Sequence, residues 1–132
     1  MKRNELRLGN YVIAVDNVFA EVLRIDTSKI TMLNYPFTDI IPFSQPADVL
    51  KPIPITKEWL VTEFGFNDNG DGYYQHPDYN FFLYHIEEDE YFECYKQVPA
   101  NDDTGDFKPL QHVHKLQNLF YELFDEELEG KF

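Results

Sequence analysis

The fold of this chain is decided at residues 52–66, which have the sequence Pro52-Ile53-Pro54-Ile55-Thr56-Lys57-Glu58-Trp59-Leu60-Val61-Thr62-Glu63-Phe64-Gly65-Phe66. Thr56 is predicted to cap a short helix, because its hydroxyl can accept a hydrogen bond from a free N–H group of the first turn. Glu58 adds a negative charge at the positive end of the helix dipole. Gly65 stands where a left-handed residue ends such helices. The start and the end of a central helix are therefore both predicted, and Trp59 within it is predicted to lie at the centre of the core.

Three short strands are predicted before this helix, at Tyr11–Val15, Val18–Ile25 and Ile30–Leu33. They are rich in Val, Ile and Tyr, and turn-forming residues separate them at Asp16-Asn17 and at Asp26-Thr27-Ser28-Lys29. Antiparallel strands of this length indicate a small β-meander or an SH3-like barrel.

The segment between these strands and the helix is rich in proline. Five of the eight prolines lie between Asn34 and Thr56, which excludes a helix there. The segment also carries apolar side chains, so it is predicted to pack on the domain in extended form. A short strand is predicted at Asp39–Phe43 or at Val49–Ile53.

After the helix, Asn67-Asp68-Asn69-Gly70-Asp71-Gly72 is predicted to form a loop. Strands follow at Tyr73–Gln75, Asn80–Glu87 and Glu90–Val98, the last two forming a hairpin. Apolar residues at spacings of three and four then predict an amphipathic helix from Leu110 to about Leu128, with Gly130 as its end.

The length of 132 residues and the hydrophobic content of 43% suit one compact α+β domain. This domain is predicted to be β-rich over residues 1–50 and αββα-like over residues 51–132.

The charge balance narrows the range of partners. Eleven basic and 24 acidic residues give a net charge of −13, which argues against direct nucleic-acid binding and favours a partner with a basic surface. Cys94 is the only cysteine, so no intrachain disulfide is expected. The chain has no run of about 18 apolar residues that would span a membrane. These features predict a protein of the reducing cytoplasm.

One stretch partly matches a calcium-binding loop, although no metal or cofactor is predicted. Oxygen-bearing side chains fall on four positions of such a loop, at Asn67, Asn69, Asp71 and Asp78. The stretch lacks a carboxylate at its first position and the long bidentate Glu at its last. A plain turn is therefore the favoured interpretation.

The histidines form a second, weaker metal pattern. His112 and His114 could in principle assemble a site with His76 or His85. Helix residues two apart point to different sides, however. His114 is instead expected to be partly buried and hydrogen-bonded to a loop.

Acidic residues crowd one end of the predicted hairpin, where they could attract a basic protein surface. The predicted partner-binding residues are Glu87, Glu88, Asp89, Glu90, Tyr91 and Glu93. The sequence contains no phosphate-binding loop, nucleophile elbow or HExxH motif, so no catalytic residue is predicted. Carboxylates distant in sequence could still meet as a catalytic acid pair, so an enzymatic function stays among the alternatives.

Three segments resemble a family of small uncharacterised proteins of phages, prophages and the bacterial genomes that carry them. They are Leu6-Arg7-Leu8-Gly9-Asn10-Tyr11-Val12, the stretch from Pro52 to Phe66, and Val113-His114-Lys115-Leu116-Gln117-Asn118-Leu119-Phe120-Tyr121 with Leu123. The resemblance implies no known activity. It implies a mobile-element protein that acts inside a bacterial host cell.

Two classes of function follow. The first is a non-enzymatic acidic protein that inhibits a host defence protein by direct contact. The alternatives are a module or sponge for a nucleotide-like signal, a minor hydrolase, or an accessory structural phage protein. A nucleotide site would need a stacking ring near a basic side chain. The candidate rings are Trp59, Tyr73, Tyr74 and Tyr91, and the candidate basic residues are Arg7, Arg24, Lys29 and Lys115.

Overall fold

The computed structural model describes residues 1–34, 42–85, 91–96 and 108–130. The strands in these ranges are β1 (Tyr11–Ala14), β2 (Val18–Ile25), β3 (Ile30–Asn34), β4 (Phe43–Gln45), β5 (Asn67–Gly70), β6 (Tyr73–Gln75), β7 (Phe81–His85), β8 (Phe92–Lys96) and β9 (Lys108–Leu110). The helix α1 spans Val113–Phe124, and a π-helical turn spans Trp59–Glu63. Short 3₁₀ turns occur at Arg3–Glu5, Val15–Asn17 and Ala47–Val49. The predicted α+β class is confirmed.

The chain forms two compact units. The first contains Met1–Pro54 and His112–Glu129, and the second begins at Ile55 and continues to Gln111. The closing helix therefore belongs to the same unit as the N-terminal strands.

The first unit is built on an antiparallel sheet with the strand order β1-β2-β3-β4. The turn between β1 and β2 has Asp16 and Asn17 at φ 67° and 58°. Two successive positive φ angles are typical of the tight turn whose twist matches a β-hairpin. In the described residues the sheet stays open, so the meander is the arrangement observed and the closed barrel is not. Its core contains Leu6, Val12, Ala14, Ala20, Val22, Ile30, Met32 and Leu50.

The proline-rich segment contributes the strand β4, which begins at Phe43, the last residue of the predicted strand Asp39–Phe43. β4 pairs with β3, whereas most of the predicted Asp39–Phe43 strand lies outside the described residues. The alternative at Val49–Ile53 is wrong, because Lys51 alone forms a backbone bridge, to Ile13. Proline at position 52 has no N–H group to extend that ladder.

The closing helix α1 is shorter at both ends than predicted. Leu110 belongs to β9, where it pairs with Phe92 of β8. At the other end, Asp125 adopts φ 56° and its N–H group donates to the carbonyl of Tyr121 at 2.8 Å. The helix thus ends at Phe124, and Asp125 has the role that was predicted for Gly130. Asp can do this because it tolerates the left-handed conformation better than most residues.

The buried side chain of Gln117 connects α1 to the start of the sheet. Its Oε1 atom accepts a hydrogen bond from the backbone N–H of Tyr11 at 2.8 Å. Its Nε2 atom donates to the carbonyls of Gly9 at 2.9 Å and Leu128 at 3.3 Å. One carboxamide thus forms hydrogen bonds with three backbone groups, which matters because buried backbone groups need partners.

Asn10, which is also fully buried, forms the second part of this connection. Its Nδ2 atom donates to Oδ1 of Asn118 at 2.9 Å, and its Oδ1 atom accepts from the N–H of Arg7 at 2.8 Å. Asn118 in turn donates to the carbonyl of Glu5 at 3.1 Å. Side chains from the two ends of the chain are therefore joined in one hydrogen-bond network.

We predict that Gln117→Leu lowers the free energy of unfolding by about 2–4 kcal/mol, because it leaves the buried N–H of Tyr11 and the carbonyl of Gly9 without partners. Glu122→Leu, at an exposed position of the same helix, is the control and should change stability by less than about 0.5 kcal/mol. Urea unfolding measures both. Equal losses in the two variants would show that the network contributes nothing beyond helix packing.

The second unit is built on an antiparallel sheet with the strand order β5-β6-β7-β8-β9. One face of this sheet is buried and carries Tyr74, Phe81, Leu83, Phe92, Cys94 and Leu110. Phe66 contacts the ring of Phe81 edge-on, with 6.2 Å between ring centroids. Ring packing therefore dominates this core, as the aromatic content of the sequence indicates.

The central helix is confirmed, although its hydrogen bonds differ from those of an α-helix. Thr56 Oγ1 accepts a hydrogen bond from the N–H of Trp59 at 3.2 Å, as predicted for a cap. The N–H of Phe64 donates to the carbonyl of Trp59 at 2.9 Å, which is the i to i−5 spacing of a π-turn. Gly65 follows at φ 77°. Trp59 is 6% exposed, so its predicted core position is also confirmed.

The loop predicted at residues 67–72 is wrong, because its first four residues form the edge strand β5. Asn67 pairs with Gln75 and Asp68 with Tyr74. Lys57 Nζ lies 3.1 Å from Oδ2 of Asp68, which helps to hold a strand of poor intrinsic β-propensity. Asp71 and Gly72 remain as the turn between β5 and β6.

We predict that Gly72→Ala lowers stability by about 2–4 kcal/mol, because a Cβ atom there would overlap the carbonyl oxygen of His85 in addition to the strain of φ 85°. Gly70→Ala is a matched control, since Gly70 has the same φ but nothing within 4 Å of the added atom. It should lose only about 1 kcal/mol. Thermal unfolding compares the two, and equal losses would exclude the steric contribution.

Candidate functional site

The second unit exposes a face of its sheet that is rich in aromatic side chains. The pairings Tyr73–Tyr84–Glu93 and Gln75–Phe82–Tyr95 run across β6, β7 and β8. Successive residues of a strand point to opposite sides, so these six side chains lie opposite the buried core residues. We call this set the tyrosine face: Tyr73, Gln75, Phe82, Tyr84, Glu93 and Tyr95.

The rings of Tyr73 and Tyr84, which are cross-strand partners on β6 and β7, stack on each other. Their centroids are 4.5 Å apart and their planes differ by 29°. Tyr73 is 45% exposed, and the other members of the face are half-buried. The pair presents a preformed flat aromatic surface, which can receive an apolar or cationic side chain at little cost in conformational entropy.

A charged hydrogen bond lies beside this pair. The hydroxyl of Tyr95 donates to Oε2 of Glu93 at 2.6 Å. This bond, together with burial, raises the pKa of Tyr95 from its usual value of 10 to about 12. The face therefore combines neutral aromatic rings with one fixed carboxylate acceptor.

The structure places two of the six predicted partner-binding residues. Glu93 lies on the tyrosine face, and Tyr91, one residue before β8, is 50% exposed. Glu87, Glu88, Asp89 and Glu90 lie outside the described residues. The grouping of Tyr73, Tyr84 and Tyr95 beside Glu93 was not predicted. It results from the register in which β6, β7 and β8 pair, and the sequence of a single strand does not specify that register.

The calcium-loop candidates do not form a loop around a common centre. Asn67 and Asn69 lie on β5, where Nδ2 of Asn69 donates to Oε1 of Gln75 at 3.1 Å. Asp71 lies in the turn at φ 54°, and the N–H of Asp78 donates to Nδ1 of His76 at 3.0 Å. Among the residues that the structure describes, no group of three or more His, Cys, Asp or Glu could hold a metal ion.

The basic residues considered as nucleotide ligands do not converge on an aromatic cleft. Arg7 lies 2.7 Å from Glu127 and over the ring of Tyr121. Arg24 pairs with Asp26, and Lys115 with Glu5. Lys29 instead lines a pocket of the first unit together with Lys2 and Arg3, and no aromatic residue lines it. Two of the candidate stacking rings, Trp59 and Tyr74, are buried.

His114 is a buried titratable group in the first turn of α1. It is 2% exposed, and neither of its ring nitrogens has a hydrogen-bond partner in the described structure, contrary to the expected bond to a loop. The ring lies 6.0 Å from that of His112, in a nearly parallel orientation. Burial, followed by the charge of Lys115, lowers the pKa of His114 to about 4, although Glu5 acts in the opposite direction.

We predict that His114 makes the first unit sensitive to acid. The pKa of about 4 in the folded chain lies below the usual value of 6.5. The stability that the first unit gains from neutral, buried His114 is therefore fully present above pH 6.5 and is lost as the pH falls toward 4. The loss is about 3 kcal/mol at most. His114→Leu should unfold less readily at pH 4.5 while matching the parent at pH 7. Equal acid sensitivity in urea titrations of both proteins would exclude His114 as the cause.

Comparison with known proteins gives no family assignment: no family model matches the chain, and no curated protein or solved structure matches it significantly. The resemblance to phage and prophage proteins stays a prediction. In the described residues, no helix is long and apolar enough to cross a membrane.

Proposed function

We propose that this protein is a non-enzymatic binding protein whose tyrosine face receives the arginine- or lysine-bearing surface of another protein. The stacked pair Tyr73–Tyr84, in which Tyr73 is exposed and Tyr84 is half-buried, is the observation that carries the proposal. Tyrosine is enriched among residues that dominate binding energy, because its ring buries much apolar area while its hydroxyl stays compatible with water.

The chemistry of the face supports a cationic partner. Arginine and lysine bind over aromatic rings, with about 0.5–2 kcal/mol gained per contact. The carboxylate of Glu93 lies beside the rings and can accept a hydrogen bond from the same cation, since its Oε1 atom has no bond to the described residues. The net charge of −13 would in addition attract a basic surface over distances up to about 10 Å at 0.1 M salt.

The family resemblance extends this proposal to a biological setting. In a protein of phage or prophage type, the partner would be a protein of the bacterial host, and blocking its basic surface would inhibit it. A host nuclease or other defence protein that contacts nucleic acid has such a surface, because it must neutralise phosphate charges.

A defined peptide tests the binding surface before the natural partner is identified. An arginine–glycine repeat peptide should shift the amide NMR signals of β6, β7 and β8. Tyr73→Ser with Tyr84→Ser should weaken this binding about tenfold or more. Leu8→Ser with Leu23→Ser is the control, because it removes two exposed apolar side chains, 57% and 39% exposed, from the first unit. Shifts scattered over all acidic residues, equally in both double variants, would contradict the proposal.

The natural partner is then sought with the same variants. Affinity capture from bacterial host lysate, followed by mass spectrometry, should recover a protein that the control variant retains and the tyrosine variant loses. Glu93→Gln should slow association with it several-fold and reduce its salt dependence. An NMR titration that follows the ring signals of Tyr95 should show a lower pKa in this variant than in the parent, because the hydrogen bond to the Glu93 carboxylate raises it.

A further inference from the structure

The first unit contains a pocket of about 580 Å³, and among the candidate site residues predicted from the sequence only Lys29 lines it. Three segments form its walls: the N-terminal residues, the turn between β2 and β3, and the 3₁₀ turn Ala47–Val49. Ile30 and Ala47 contribute apolar surface, whereas most other lining residues are polar or charged. This volume lies in the range of sites for small organic molecules.

The basic side chains that line the pocket form no ion pair with the described residues. Lys2, Arg3 and Lys29 line it. Within the described part of the chain, Arg7, Arg24, Lys57 and Lys115 each pair with a carboxylate. Lys2, Arg3 and Lys29 form no such pair with the described residues, and neither does the exposed Lys51. In a protein of net charge −13, a pocket lined by three basic side chains and two carboxylates, Asp26 and Asp48, carries a small local excess of positive charge.

Arg3 is oriented by the turn that it faces. Its Nη1 atom donates to the carbonyl of Thr27 at 2.9 Å. The turn itself is closed by a hydrogen bond from the N–H of Asp26 to the carbonyl of Lys29 at 3.0 Å. The other guanidinium N–H groups form no hydrogen bond with the described residues, so they remain available to a ligand. A planar guanidinium with two adjacent donors matches a phosphate or carboxylate oxygen pair.

Two carboxylates also line the pocket, and they restrict the class of ligand. Asp26 is paired with Arg24, but Asp48 has no ion pair in the described residues. The Asp48 carboxylate would repel a bare anion, yet it can accept hydrogen bonds from hydroxyl groups. The pocket is also much larger than an inorganic ion requires.

We propose that this pocket binds a small organic phosphate that carries hydroxyl groups, such as a sugar phosphate. The phosphate group is held by Lys2, Arg3 and Lys29, and the hydroxyl groups donate to Asp48. This site lies in the first unit and does not depend on the function proposed for the tyrosine face.

Ribose 5-phosphate is a suitable probe, and its binding is measured by amide NMR titration of the full chain. Signals from residues 2–4, 26–30 and 46–48 should shift together and saturate. Arg3→Gln and Lys29→Gln should each weaken binding about tenfold, as expected for a charged hydrogen bond. Lys51→Gln is the matched control, because it removes an unpaired exposed lysine that does not line the pocket. It should leave the affinity unchanged.

Three further measurements decide the ligand class. Asp48→Asn should weaken ribose 5-phosphate binding but not the binding of inorganic phosphate, and ribose alone should not bind at comparable concentration. The proposal is overturned if ribose 5-phosphate causes no saturable shifts at these residues, or if Lys51→Gln weakens binding as much as Arg3→Gln. Equal affinity for inorganic phosphate would overturn the assignment to an organic phosphate.

Discussion

The side-chain amide of Gln117 is the contact on which the first unit depends. At the entry to β1, the N–H of Tyr11 donates a hydrogen bond to Oε1 of Gln117, and the carbonyl of Gly9 accepts one from its Nε2. Because burying an unsatisfied backbone group costs more than a hydrogen bond contributes, the helix α1 has one favourable position along the strand. The residues before β1 and those of the closing helix therefore stabilise each other.

Residues of this contact belong to the segments from which a likeness to phage and prophage proteins was predicted. The opening segment contributes Gly9, Asn10 and Tyr11, and the closing segment contributes Gln117 and Asn118. The middle segment contains Thr56, which caps the π-turn. The most recognisable parts of the sequence thus have structural roles, and none of these six residues belongs to the tyrosine face or to the lysine- and arginine-lined pocket. The sequence pattern of these three segments therefore indicates a fold more readily than a function.

The two candidate binding sites differ in the charge that they accept. The tyrosine face offers rings and one carboxylate, which suit a cation, whereas the pocket offers Lys2, Arg3 and Lys29, which suit an anion. Both can operate in one acidic protein, because screening confines most of the field of distant surface charges to about 10 Å at 0.1 M salt. Local side chains then decide which ligand binds, and net charge affects mainly the rate of encounter.

The sequence by itself determined the elements whose signals are local. The turn at Asp16-Asn17, the strand Val18–Ile25, the cap at Thr56 and the end of the central helix near Gly65 all follow from residues a few positions apart. Only the tertiary structure decided the rest. The strand β5 exists because Asn67 and Asp68 pair with β6, against their intrinsic preference for turns. Tyr73, Tyr84 and Glu93 become neighbours only through the register of three strands. Arg3 and Lys29 line one pocket only because the N-terminal residues lie against the turn between β2 and β3. Such contacts join residues far apart in sequence, so no local pattern encodes them.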